Sequence, residues 1–469
     1  MPDIKKDILT RVWVLYVVFI FIGVAIVVKV LWLQLGPEAP ELRRKADRIT
    51  FETVAIPAQR GDILARDGRL LATSVPTYML RMDFDAAGLA DSTFRRNVDS
   101  LALCLSDFFG DRSKAGYLQL LIAARADRAH NRYTQISPRR VDFLELRQVS
   151  RFPIFRLGPN KGGFMAEEVP QRLLPSGSLA QRTIGFTNQS GTKLGIEGAF
   201  DEYLAGTDGS ALMQRISGSV KVPVGGGTNI EPVNGIDVVT TFDIDLQDVA
   251  ETALRQQLAK GGAEWGTAVL MESSTGEVRA MANLTRHKDG SIGEDFNYAV
   301  AMNLEPGSSF KLASLVTLLD EGGMALDHKI NTGDGTARIG SVTVRDSHHG
   351  GGLYTLKKIF EISSNVGFAK AVNEAFAGQP SRFTSHLAQM GFDTTLNLQI
   401  DGEPSPVMHF PGKAGWDGTT LTMMAYGYAI RITPLHTLAF YNAIANGGRM
   451  MRPLLVSELL QYGKIVRTF

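Results

Sequence analysis

Between Val12 and Val28 the chain carries no charge, and after Lys29 the apolar run continues to Leu35. That is roughly the 20 residues a helix needs to cross a bilayer. A cleaved signal peptide would have a shorter apolar region followed by a small-x-small site. Here the run is long, and Gly36-Pro-Glu-Ala-Pro40 is a poor cleavage site. An uncleaved anchor is therefore expected, with residues 1–11 as a short tail and 12–35 as the transmembrane helix. Trp13, Tyr16 and Trp32 lie near its ends, as interfacial aromatics do, and Lys29 is close enough to one end to snorkel. Lys5, Lys6 and Arg11 precede the run; Arg43, Arg44, Lys45 and Arg48 follow it. This balance does not settle which side the body occupies.

With 469 residues, the chain is long enough for more than one domain. Its 44% hydrophobic and 21% charged residues are those of a globular protein, and a net charge of +1 argues against a nucleic-acid binder. The single cysteine, Cys104, permits no internal disulfide and no cysteine-based zinc site; it sits in the apolar run Leu101–Leu105 and reads as core. From about 50 to 235 the pattern mixes short apolar alternations, such as Tyr78–Asp83, with polar helical stretches and Gly/Pro turns. Gly225-Gly-Gly227 and Pro232-Val-Asn-Gly235 mark its end, so domains of 50–235 and 236–469 are expected. Asp243 or Asp245 can cap a helix running to about Lys260, with an apolar stripe of Leu246, Val249, Ala250, Ala253, Leu254 and Leu258. Thr267–Met271 and Val278–Ala282 read as a hairpin closed at Ser274–Glu277. A helix, an antiparallel pair and further helices point to an α/β sandwich.

The chemistry-bearing segment is Glu305-Pro-Gly-Ser-Ser-Phe-Lys311, followed by the apolar stretch Leu312–Leu319. Pro306 and Gly307 break the chain, and a helix is expected to start near Ser308. A serine there meets free N–H groups and the positive end of the helix dipole. Lys311 lies one turn on, on the same face, where its amine can reach the hydroxyl. A serine alone is a weak nucleophile; a buried neutral lysine is one way to activate it. The bland alternative is a capping serine with a solvated lysine. Ser190-Gly-Thr-Lys193 repeats the spacing, but no apolar helix follows and its surroundings look like a turn. Ser363-Ser-Asn365, between two amphipathic stretches, reads as an inter-helical corner whose side chains either project into a cleft or cap a helix.

Together, Ser308-x-x-Lys311 and Ser363-x-Asn365 resemble the paired motifs of penicillin-binding proteins and serine β-lactamases. Arg60–Gly68 with Leu71-Ala72, Gly195–Gly198, Asp243–Gln247, Tyr426-Gly-Tyr428, Thr433-Pro434 and Ala445–Gly448 resemble, in order, segments of class B penicillin-binding proteins. Glu-Pro-Gly before the serine is similar to the division-type branch rather than the elongation type. The resemblance implies a multidomain fold: a transmembrane helix, an α+β pedestal domain related to dimerisation domains, and an α/β transpeptidase domain like serine β-lactamases. It implies that Ser308 attacks the penultimate D-Ala carbonyl of a stem pentapeptide and that an amine from a neighbouring stem resolves the acyl-enzyme. Lys311 would take the serine proton, Ser363 would relay one to the leaving amine, and Asn365 would bind the substrate amide. The Ser308 N–H would form half of the oxyanion hole, and β-lactams would acylate the same serine. The body would lie outside the cytoplasmic (inner) membrane and residues 1–11 would be a cytoplasmic tail, with a membrane-embedded glycan polymerase and divisome proteins as partners.

The family also has a third motif, Lys-Thr-Gly or Lys-Ser-Gly, some tens of residues after the Ala445–Gly448 block. The sequence ends at Phe469, before that point, so a domain incomplete at its C-terminus and impaired in activity is expected. Lys413-Ala-Gly415 precedes that block, has alanine where a hydroxyl is needed, and reads as loop. No metal or cofactor is expected: His348-His349 lacks a third ligand at suitable spacing, and Gly350-Gly-Gly352 lacks the lysine and hydroxyl of a phosphate loop. Asp346 and His348 precede Ser363 by too little for a Ser-His-Asp triad. Two other readings are a non-catalytic scaffold and a β-lactamase or β-lactam sensor. A soluble β-lactamase would lack the anchor and pedestal, and a sensor would have more membrane spans.

Overall fold

The computed structural model describes residues 3–42, 44, 51–188, 190–217, 220–223, 229–348 and 350–469. Gly225–Gly227, His349 and the flanking cations Arg43, Lys45 and Arg48 lie outside the described residues. The chain forms two compact units. The first is Met1–Ala58, Pro76–Val169 and Thr207–Val233; the second is Gln59–Val75, Pro170–Gly206 and Asn234–Phe469.

In the first unit the apolar run is one helix, Asp3–Leu35. Its segment Ile8–Leu35 is long and apolar enough to cross a membrane, and its large apolar side chains are exposed all round. A helix apolar on every face needs a surrounding other than water. The Lys29 ammonium lies 4.8 Å from the centre of the Trp32 ring, which gives this cation an aromatic partner near the helix end. The body of the unit is built on two helices, Asp91–Phe109 and Lys114–Ala126. Phe94, Val98, Leu101, Ala102 and Leu105 recur at helical spacing, are buried, and share a core with Leu80, Met82, Phe84 and Leu121. Cys104 is half-buried beside them. Left-handed Gly110 ends the first helix, and Ser113 caps the second by accepting the Gly116 N–H. A separate three-stranded antiparallel sheet joins Phe51–Ile56, Gly209–Ser217 and Val220–Pro223.

The second unit is not contiguous in sequence, and strand pairing explains why. Strand Asp237–Thr240 is flanked on one side by Val456–Gln461, antiparallel, and on the other by Ile63–Leu64, parallel. The early segment is held there by a charge network. Arg60 donates to the Glu197 carboxylate at 2.6 and 2.9 Å and to Asp201 at 2.6 Å. Arg172 donates to the other Glu197 oxygen at 2.5 Å. The Glu197 side chain is only 3% exposed. Gly61 packs so closely on the backbone of Ile236 that a Cβ would overlap its carbonyl. The Arg60–Gly68 and Gly195–Gly198 segments singled out by resemblance are thus two halves of one clasp.

The hairpin Trp265–Met271/Val278–Arg286 forms as expected, extended by Ile292–Gly293 into a three-stranded sheet. Helix Ile244–Gly261 starts at Asp243, which accepts the N–H groups of Asp245 and Leu246. Its buried face differs from the expected stripe: Leu246 and Val249 are 39% and 64% exposed, and Gln247 and Glu251 are buried with Leu258. Gln247 accepts from Met281 N at 2.7 Å and donates to Met281 O at 3.0 Å, while Glu251 accepts from Ala180 N at 2.8 Å. Buried backbone groups demand partners, and that demand outweighs burial of two apolar side chains here. A separate helical core contains Phe310, Leu318, Ile359, Phe368, Phe376 and Phe383.

Removing Glu197 would leave Arg60 and Arg172 without their shared carboxylate. Glu197→Ala is expected to cost about 3–5 kcal/mol in denaturant unfolding. Asp67→Ala, at the exposed Arg69 pair, should leave the midpoint nearly unchanged. Equal midpoints for the two variants would refute the clasp.

Candidate active site

Gly307, with φ of 57°, turns the chain into a 3₁₀ turn, Gly307–Phe310, which runs directly into helix Lys311–Asp320. Ser308 is exposed at the first turn of this helical segment. The turn is gripped from the 427–441 region. Gly307 N donates to Gly427 O at 2.9 Å, and Ala429 N to Glu305 Oε1 at 3.0 Å. Leu304 and Ile432 exchange backbone hydrogen bonds of 3.1 and 3.0 Å, and the Tyr441 hydroxyl donates to Ser309 O at 2.9 Å. Gly427 itself has φ of 89°, and a Cβ on it would overlap the Gly307 carbonyl. The Tyr426-Gly-Tyr428 motif is therefore a seat for the Ser308 turn.

Lys311 is 1% exposed. Its ammonium nitrogen reaches Ser363 O at 2.6 Å, Asn365 Oδ1 at 2.7 Å and Ser363 Oγ at 3.0 Å. The Phe368 ring centre lies 6.0 Å away. Burial pushes the amine down to about 8, against the opposing pull of the Asp346 carboxylate. A neutral amine fits the same partners: two N–H groups serve the carbonyl oxygens, and the lone pair is left for a hydroxyl proton.

The corner that supplies these oxygens lies between helices Leu356–Glu361 and Asn365–Phe376. Ser363 is held at φ of 54°, a left-handed conformation rare for serine. Ser364 caps the second helix by accepting the Gly367 N–H at 2.9 Å. Gly367 has no room for a side chain against Ile359. Asp346 binds the corner from outside: Oδ2 accepts from Ser364 Oγ at 2.8 Å and Oδ1 from Val366 N at 2.9 Å. Asn365 Nδ2 donates to Arg345 O at 2.9 Å. The capping and projecting readings of Ser363–Asn365 are both realised, by different residues of the triplet.

Of the four residues named from sequence, the fold joins Lys311, Ser363 and Asn365 by hydrogen bonds and sets Ser308 one turn before Lys311. Ser308 Oγ makes no hydrogen bond to Lys311 Nζ, whose bonds go to the corner. Ser190 lies in a turn, donating to Asn188 Oδ1, and Lys413–Gly415 lies in another turn. Asp346 was set aside in the sequence as a triad acid; its actual place, as the acceptor for a helix start 18 to 20 residues on, has no local signature. An aspartate ending the hairpin strand Val342–Arg345 shortly before a Ser-x-Asn corner is the signal that could have found it.

Gly427→Ala tests the seat. Strain at a positive φ plus overlap with Gly307 should destabilise the chain by about 1–3 kcal/mol in urea unfolding. An unchanged midpoint would show that the turn does not depend on this contact.

Residues 55–240 match the penicillin-binding protein dimerisation domain, and residues 266–467 the penicillin binding protein transpeptidase domain. The penicillin-binding protein PbpB of Mycolicibacterium smegmatis is 26% identical over 444 residues, covering 90% of this chain and 66% of that protein. The peptidoglycan D,D-transpeptidase FtsI of Escherichia coli K12 is 26% identical over 449 residues, covering 92% of this chain and 70% of that protein. The chain thus spans about two thirds of the length of these curated relatives. A solved structure described as "structural coordination of polymerization and crosslinking by a peptidoglycan synthase complex" superposes with a TM-score of 0.67 at 21% identity, covering 98% of this chain and 81% of that one. By its two matched domains and their order, the chain belongs to the penicillin-binding proteins, in the class B arrangement of a dimerisation domain followed by a transpeptidase domain.

Proposed function

We propose that this chain is a serine D,D-transpeptidase that crosslinks peptidoglycan stem peptides, with Ser308 as the acylated nucleophile. The observation that carries this reading is the buried Lys311 amine, held by Ser363 and Asn365 one turn from an exposed serine at a helix start. Ser308 Oγ attacks the penultimate D-Ala carbonyl while its proton passes to the neutral Lys311 amine. The tetrahedral intermediate collapses as the terminal D-Ala leaves, its nitrogen taking a proton relayed through Ser363. An acceptor amine from a second stem then attacks the ester, Ser308 recovers its proton, and a new amide forms. Asn365 orients the donor peptide, and the Ser308 N–H faces the developing oxyanion. β-Lactams enter at the first step.

In this reading residues 50–235 act as a non-catalytic pedestal, and 236–469 carry the chemistry. The helix Ile8–Leu35 anchors the chain in the cytoplasmic membrane with its body on the extracytoplasmic, periplasmic side. The relative named FtsI supports a place in septal wall synthesis, and the likeness to a peptidoglycan synthase complex supports a membrane-embedded glycan polymerase as partner, alongside divisome proteins.

Intact mass after incubation with benzylpenicillin tests the nucleophile. One covalent adduct is expected, absent from Ser308→Ala; no adduct on the unaltered chain sinks the reading. The acylation rate should also track the neutral form of Lys311. The amine is protonated below about 8 and has no lone pair there, so the rate should fall roughly tenfold per pH unit below that point and level off above it. Stopped-flow acylation between pH 6 and 9 measures this, and a flat profile would remove Lys311 as the base.

A further inference from the structure

We propose that Asp346 is the positioning residue of this site, its one carboxylate fixing the Ser363–Asn365 corner that holds Lys311. The inference deepens the transpeptidase reading and rests on it for the roles of Ser308 and Lys311. Hydrogen-bond geometry carries it, and the charge of the same carboxylate has an electrostatic consequence.

The first is mechanical. Both Asp346 oxygens are committed to the start of helix Asn365–Phe376, one to Ser364 Oγ at 2.8 Å and the other to Val366 N at 2.9 Å. Ser364 and Val366 bracket Asn365, and Ser363 directly precedes the pair. Ser363 must be kept at φ of 54° for its carbonyl and hydroxyl both to face Lys311. The left-handed conformation costs of order 1–3 kcal/mol and persists only where the surroundings over-determine it. A bidentate carboxylate on the next residues supplies that constraint. Asp346 is itself fixed, since its own N–H donates to Gly335 O at 2.9 Å.

The second is electrostatic. The groups facing the Lys311 amine from the corner are neutral, Ser363 and Asn365, and helix Asn365–Phe376 offers the Phe368 ring. Arg345 presents its carbonyl to Asn365 while its side chain is exposed, and His348 is also exposed. The Asp346 carboxylate, bonded to Ser364 and Val366 beside these neutral groups, pulls the amine toward its charged form against desolvation. The residue that shapes the corner thus also tempers how readily the base gives up its proton, a property set chiefly by burial.

The two roles separate by substitution. Asp346→Asn keeps the shape and two polar contacts but removes the charge; Asp346→Ala removes both. The readout is the titration midpoint of Lys311, followed by NMR of lysine labelled with ¹³C at Cε in the full chain and assigned with Lys311→Arg. This readout does not require acylation. Asp346→Asn should move the midpoint to lower pH, shift the acylation profile the same way, and keep the plateau rate within about threefold. Asp346→Ala should lower the plateau by roughly 10²-fold, the scale of a misplaced catalytic group. An unchanged Lys311 midpoint in Asp346→Asn overturns the electrostatic half, and an unchanged plateau in Asp346→Ala overturns the positioning half. A chain that is never acylated refutes the transpeptidase reading instead, and the Lys311 midpoint still judges Asp346.

Discussion

Everything at the centre of the second unit depends on taking the Lys311 amine out of water. An isolated ammonium in an apolar interior is costly, so it must be paired, hydrogen-bonded or neutralised. This fold uses the last two together. Three oxygens from one corner receive the amine, and desolvation lowers its proton affinity into the range where a neutral amine is available. The corner must then hold an unusual backbone shape, the next helix must start two residues later, and Gly367 must let that helix close on Ile359. The serine turn faces a parallel demand and is met from the far end of the chain, by Gly427 through Tyr441.

The site was legible in sequence where its logic is local. Ser308 and Lys311 are one helical turn apart, and Ser363 and Asn365 sit on one corner, so spacing alone brings each pair together. Asp346, Glu305 and Tyr441 act across loops or across more than a hundred residues, and no periodicity announces them. Tyr426-Gly-Tyr428 was visible as a pattern, yet its reason is the overlap a Cβ on Gly427 would make with Gly307.

The fold divides in the same way. The membrane-length helix, the Trp265–Arg286 hairpin and the Asp243 cap follow from composition, alternation and capping chemistry, all readable within a few residues. The helix after Asp243 shows the limit. Its apolar stripe predicted one buried face, but the strand beside it and the backbone at Ala180 needed hydrogen-bond partners, and Gln247 and Glu251 turned inward to meet those needs. Burial inferred from hydrophobicity misses a polar residue that satisfies a neighbouring backbone.

Strand Ile63–Leu64, two residues long, sits beside Asp237–Thr240 far along the chain, and Arg60 closes on Glu197 between them in sequence. The unit that bears the site is therefore threaded through the gene rather than encoded as a block. A cassette beginning after residue 235 would leave Asp237–Thr240 with a bare edge and would omit both halves of the clasp. Recombination between relatives that exchanges only the distal half must therefore find in the other parent a Gly61 and an Ile63–Leu64 strand that fit its own Ile236 and Asp237–Thr240, which ties the histories of the early and late segments together.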